Sequence, residues 1–136
     1  EHSALRCHLR ILKNKWFQRF AKRENLTDAA LREAVGRATN GAVDANLGAG
    51  VIKQRVARPG EGKAKGYRTI IFFRQGALAI FVFGFPKSKK SNLTQSEENA
   101  FKAAAKHLLS LPETLIAALL ENGELIEVSD NEQEIP

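Results

Sequence analysis

Lys53, Arg55 and Arg68 are the residues whose types and spacing point most directly to chemistry. Residues 51–57 alternate as a strand does: Ile52, Gln54 and Val56 face one way, Val51, Lys53, Arg55 and Ala57 the other. Lys53 and Arg55 therefore share a face, roughly 7 Å apart along the strand, which is about one phosphate spacing. Arg68 enters from the next apolar run. Between residues 46 and 92 there are ten Lys and Arg side chains against one acid, Glu61. Arg is a permanent cation whose planar fork suits a phosphate. Lys becomes a base where crowding cations lower its pKa from about 10.4, as Arg55 and Arg68 would do for Lys53. Such a cluster can hold two of the roles needed to cut RNA without a metal, the base and the phosphate cations. The 2′-OH attacks the adjacent phosphate and the bond to the 5′ oxygen breaks, leaving a 2′,3′-cyclic phosphate and a 5′-OH. The route needs a base near the 2′-OH, cations on the phosphate oxygens and an acid for the leaving group.

Other chemistries fit less well. Residues 58–66 read as a nine-residue glycine-rich loop with Arg58, Lys63 and Lys65, but not as a phosphate-binding P-loop. The first glycine of that motif would fall on Ala57, Ala64 follows Lys63, and a strand follows rather than a helix. The dinucleotide fingerprint fails at Lys65. The segment is a basic loop that either folds over a polyanion or simply connects a hairpin. One cysteine, Cys7, leaves no disulfide framework and no multi-cysteine zinc site, and no His-x-x-x-His pair occurs, so no metal or other cofactor is expected. His107 falls at the edge of an apolar helix stripe and reads as a packing residue.

The elements that must position the basic cluster follow from periodicity. Residues 9–12 have the length of a short strand. In residues 13–24, Trp16, Phe17, Phe20 and Ala21 form one apolar helical stripe, with Trp16 expected as a core anchor. Thr27 can cap a second helix bearing Leu31, Ala34, Val35 and Ala38, ended by Asn40-Gly41. Residues 42–50 read as a connection. Residues 67–73 read as a central strand buried on both faces, and 77–85 as its partner, with Phe81, Phe83 and Phe85 on one face and Leu78, Ile80 and Val82 on the other. Gly84 marks a bulge or a close backbone approach. Lys87, Lys89 and Lys90 follow. Thr94 and Glu97 form a capping box for a third helix, Pro112 opens a fourth, and residues 125–128 can add an edge strand. The order predicts an α+β fold, an antiparallel sheet of four or five strands with an N-terminal helical hairpin and C-terminal helices packed on it.

At 136 residues the chain is one domain's worth, expected over residues 9–128. Residues 1–8 read as an appended, processed or disordered stub, and 129–136 as an acidic disordered tail. The net charge of +6 hides an asymmetry, because residues 93–136 hold two bases and nine acids. Basic charge concentrated on one segment favours a polyanionic partner, nucleic acid first. The longest apolar run, residues 77–83, is strand-sized, so no membrane span is expected.

Residues 12–74 followed by Phe-Val-Phe-Gly-Phe-Pro-Lys-Ser-Lys-Lys-Ser-Asn-Leu-Thr-Gln-Ser-Glu resemble the RelE/HigB toxins of bacterial type II toxin–antitoxin systems, in a subfamily of longer RelE-like proteins. The resemblance covers roughly residues 9–128, and Ile52-Lys53-x-Arg55 with Gly66-Tyr67-Arg68 is its most specific part. It implies a small RelE-like domain and a cytoplasmic, metal-independent mRNA endonuclease, often acting on the ribosome to stop translation. It also implies a cognate helix-turn-helix antitoxin that binds it in a hetero-oligomer. By position, Lys53 would be base or electrostatic stabiliser, Arg55 and Arg68 phosphate clamps, and Lys87 a leaving-group or phosphate contact. Arg58, Lys63, Lys65, Lys89 and Lys90 would grip the RNA backbone, with Tyr67 and Phe85 as further RNA contacts. Some relatives place a tyrosine near the C-terminus for stacking or proton transfer; here the only tyrosine is Tyr67. Phe85 has a ring to stack but no proton to give. Two readings of other classes stay open: a non-catalytic ParE-type toxin that binds gyrase, and a non-enzymatic RNA- or ribosome-binding module.

Overall fold

The computed structural model describes residues 9–58, 60, 62–88 and 92–129, with the backbone alone at 62–65. The elements in chain order are β1 (Arg10–Asn14), α1 (Lys15–Glu24), α2 (Asp28–Thr39), β2 (Ala45–Gly48), β3 (Val51–Arg58), β4 (Gly62–Arg74), β5 (Leu78–Pro86), α3 (Gln95–Leu109), α4 (Glu113–Glu121) and β6 (Leu125–Glu127). The helix starts follow from side-chain caps. Asn14 accepts from the Phe17 N–H, Thr27 from Ala30, and Thr94 with Glu97 completes the capping box read from the sequence.

The α+β class holds, with one more strand than expected and a mixed sheet. The strand order is β2-β3-β4-β5-β1-β6. β1 runs parallel to β5, pairing Leu12 with Ile80, while every other pairing is antiparallel. The slot suits β1 because Leu12 is wholly buried, so this short apolar strand needs cover on both sides. Residues 42–50, read as a connection, contain β2, which pairs Ala45 with Lys53.

Helices cover both faces. On one, Phe17, Phe20, Leu31 and Val35 of α1 and α2 pack on Ile52, Val56, Ile71 and Phe81. On the other, Phe101 and Ala105 of α3 and Ile116 of α4 pack on Leu12, Val51, Ile70, Phe72 and Ile80. Two-sided cover is why β4 is apolar without alternation, as predicted for a central strand. Gly84 is needed where α1 comes close, since a Cβ there would lie 2.7 Å from Phe20 Cε2.

Three local expectations change. The nine-residue loop is shorter, because β3 extends to Arg58 and β4 begins at Gly62. A bulge between Val56 and Arg58 lets the ladder continue, and a Cβ on Gly66 would sit 2.1 Å from the Val56 carbonyl oxygen. Secondly, a register shift opposite Ile70 and Ile71 splits the β5 phenylalanines. Phe81 meets Phe17 on the α1 side, whereas Phe83 meets Phe101 of α3. Thirdly, Trp16 is not a core anchor: it is 37% exposed at the edge of the sheet. The stub at residues 1–8 and the tail at 130–136 lie outside the described residues. Ser129 is held, its N–H donating to Asp28 and its carbonyl accepting from Arg32. Among the described residues no single helix is long and apolar enough to cross a membrane.

Candidate functional site

The β3–β4 register places Arg55 directly opposite Arg68 and Lys53 opposite Ile70. On the far side of β4, Phe85 is opposite Arg68. All belong to the face that α3 covers further along through Phe72 and Phe101. Where that cover stops, Asp44, Ala45, Lys53, Arg55 and Arg68 line a cleft of about 270 Å³. Like charges directly opposite one another on neighbouring strands are destabilising. The pair of arginines is thus a feature the fold carries at a cost, and its surroundings show how that cost is offset.

Asp44 is the counter-ion. One carboxylate oxygen accepts the Arg55 backbone N–H at 2.7 Å, and the other accepts Arg55 Nη2 at 3.2 Å. Arg37 Nη1 lies 3.7 Å away. Burial raises the Asp44 carboxyl's pKa, but the hydrogen bonds from Arg55 and the charges of Arg55 and Arg37 outweigh it and hold the group below its ordinary value. The carboxylate therefore stays ionised at neutral pH and locks one guanidinium. Lys53 Nζ donates to Asn92 Oδ1 at 2.7 Å, which ties it to the segment leading into α3. Arg68 is different. Its Nη1 is buried and has no hydrogen-bond partner among the described residues. A buried unsatisfied donor costs about 1–3 kcal/mol, and more when charged. An anion entering this cleft would meet two positioned cations and one cation short of a partner.

Residues 9–128 match the family model described as the RelE toxin of the RelE / RelB toxin-antitoxin system. The chain belongs to the RelE toxin family. It is accordingly the toxin of a toxin–antitoxin pair, and an antitoxin is its implied partner. No curated protein and no solved structure gives a significant match.

In this RelE-family toxin the structure brings together three of the residues singled out in the sequence, Lys53, Arg55 and Arg68. Lys87 is exposed in the turn after β5 and does not line the cleft. Lys89 and Lys90, and the side chains of Lys63 and Lys65, lie outside the described residues. Tyr67 faces away. It is 2% exposed, packs edge-on against Phe20 of α1 and donates from its hydroxyl to Glu24 Oε1 at 2.8 Å. Burial, then the bond to Glu24 and its charge, raise the Tyr67 pKa, with Arg58 opposing. Arg58 goes with it, its guanidinium carbon 5.3 Å from the centre of the Tyr67 ring. Phe85 is on the cleft's face but only 5% exposed, so it offers no open ring face. Asp44 was missed in the sequence because it lies in the stretch read as a connection. The available signal was a single acid among small residues, just before a strand that pairs with Lys53.

Among the described residues no three His, Cys, Asp or Glu side chains gather as a metal-binding set.

Proposed function

We propose that this toxin is a metal-independent endoribonuclease that cuts mRNA, on the ribosome and in the cytoplasm, and that a helix-turn-helix antitoxin neutralises it. The observation that carries the reading is Arg68 Nη1, buried and unpaired in the wall of a cleft that also holds Lys53 and Arg55. A phosphate oxygen satisfies such a donor, and a pentacoordinate phosphorane with extra negative charge satisfies it better. Arg68 and Arg55 contact the non-bridging oxygens in this scheme. Lys53, held by Asn92, sits one side-chain step along β3, where it takes the 2′-OH proton or stabilises the alkoxide that forms. Asp44 keeps Arg55 in place and takes no part as an acid, because its carboxyl is ionised. Neither Tyr67 nor Phe85 supplies the leaving-group proton: the Tyr67 hydroxyl is committed to Glu24, and Phe85 has none. Lys87 and water remain as donors.

The test is cleavage of message by purified toxin on programmed ribosomes, with the ends of the fragments analysed. Fragments ending in 2′,3′-cyclic phosphate and 5′-OH are expected in the presence of a chelator. Lys53→Ala should lower the rate by about 100-fold or more, in the range of general acid–base catalysis. Intact message at toxin levels that halt growth would overturn the proposal, and a parallel supercoiling assay would then read gyrase inhibition.

A further inference from the structure

Trp16 is a large aromatic side chain that the core does not use. It lies in the first turn of α1, 37% exposed, yet its ring is fixed by neighbours: stacked on Phe20 at 5.2 Å between centroids and tilted against Phe83 at 4.7 Å. It reaches Phe83 because β1 ends at Asn14, whose side-chain amide donates to the Val82 carbonyl. The β1–β5 pairing stops at Lys13 and Phe81, so among the described residues the end of β5 is paired with β4 alone. That edge is one strand away from Arg68 in the wall of the cationic cleft. From Arg68 the path runs to its cross-strand partner Phe85, then to Phe83 with centroids 5.9 Å apart, then to Trp16. The first step crosses to the neighbouring strand, about 5 Å away, and the next two pass from ring to ring. Of these three aromatic residues, only Trp16 presents a large exposed surface. Its helix is also charged for the same ligand. Arg19 and Arg23, at i+3 and i+7 from Trp16, share its side of α1 and are exposed.

We propose that Trp16 is an aromatic platform for a nucleobase of the single-stranded RNA whose phosphate occupies the cleft, with Arg19 and Arg23 tracking the adjacent backbone. The proposal rests on the ribonuclease reading of the cleft and extends it to how the strand is positioned. A ring already held by Phe20 and Phe83 loses little freedom on binding. Stacking tolerates any base, so Trp16 strengthens binding and sets the strand's path without imposing a sequence by hydrogen bonds.

The sequence contains one tryptophan, so intrinsic fluorescence reads Trp16 alone. The probe is a short, end-labelled 2′-O-methyl oligoadenylate, which cannot form a cyclic phosphate and therefore binds without being cut. Label anisotropy reports binding, and indole emission reports contact with the base. The expected result is quenching that follows the binding curve, while an abasic oligonucleotide of equal length binds without quenching. Trp16→Ala should weaken oligoadenylate binding about ten-fold, and Trp16→Phe should restore much of it. Binding that leaves the emission unchanged overturns the proposal and leaves the cleft reading standing. Loss of antitoxin affinity in Trp16→Ala with unchanged RNA affinity also overturns it, by assigning the ring to the protein partner. If the wild-type protein binds no oligoadenylate by anisotropy, this proposal is overturned, while the ribonuclease reading is decided separately by cleavage on programmed ribosomes.

Discussion

The two faces of the β3–β4 hairpin differ more than any two elements of the fold, although their residues alternate along the same strands. Towards α1 and α2, the polar side chains Gln54, Tyr67 and Thr69 of the hairpin all have partners. Gln54 Nε2 donates to the carbonyls of Ala34 and Ala42 at 2.8 and 3.1 Å, and its Oε1 accepts the Asp44 N–H at 2.9 Å. Thr69 donates to the Gln54 carbonyl at 2.8 Å, and Tyr67 to Glu24. On the other face, one residue along, two arginines stand opposite each other and Arg68 Nη1 has no partner among the described residues. A closed polar network specifies how a chain packs. An open one is a cost to the fold, kept where something outside the chain completes it. Adjacent residues of one strand should therefore answer mutation in opposite ways.

Arg68→Ala should give the largest effect. On the ribonuclease reading, loss of the Arg68 cation from the cleft wall lowers mRNA cleavage by about 100- to 1,000-fold. The same substitution removes an unsatisfied buried donor and a like-charge pair, so the thermal midpoint should stay level or rise. A cleavage assay and a melting curve on one preparation check both halves. A lower melting temperature with cleavage intact would mean that Arg68 serves the fold and that the two faces do not divide in this way.

The neighbouring residue should behave in reverse. Thr69→Val keeps the shape and deletes the hydroxyl that donates to the Gln54 carbonyl, in a position with no solvent exposure. The expected cost is about 1 kcal/mol of stability, or roughly 4 °C, with cleavage per folded molecule unchanged. A cleavage defect as large as that of Arg68→Ala would erase the contrast.

How far this division was legible in the sequence depended on distance along the chain. Alternation over β3 is a local property, and it put Lys53 and Arg55 on one face; the capping box at Thr94 and Glu97 is equally local. Gly84 stood out as a bulge or close approach. The opposition of Arg55 and Arg68 depends on the bulge between Val56 and Arg58, which a nine-residue loop did not foretell. Features set by partners far away were not legible. β1 lies parallel to β5 because a buried slot exists there once the sheet has formed, and nothing near residue 10 announces it. The β5 bulge breaks a clean alternation and moves Phe83 to the α3 side. Trp16 fits a helical stripe perfectly well, but the stripe extends past the end of β1, so its first residue overhangs the edge. Asp44 needed the β2 pairing before it could be seen beside Arg55.

Asp44 is also where the two faces meet, and it supplies the smallest and most discriminating effect. Its N–H belongs to the closed face through Gln54, and its carboxylate serves the open face by holding Arg55. Because its pKa in the fold lies below that of the unfolded chain, its ionised form contributes stability that is fully present above the unfolded value of about 3.9 and is lost as pH falls through the folded value. Asp44→Asn cannot make that contribution. Urea midpoints of wild type and variant should differ modestly at neutral pH and converge as pH is lowered below about 4. At neutral pH the variant's cleft is one negative charge poorer, so RNA should bind at least as tightly while turnover falls, because Arg55 has lost its ionic anchor. The absence of any stability gap between wild type and variant, at neutral as at acid pH, would show that Asp44 acts only through its backbone N–H, which the substitution keeps, leaving the orientation of Arg55 to the sheet alone.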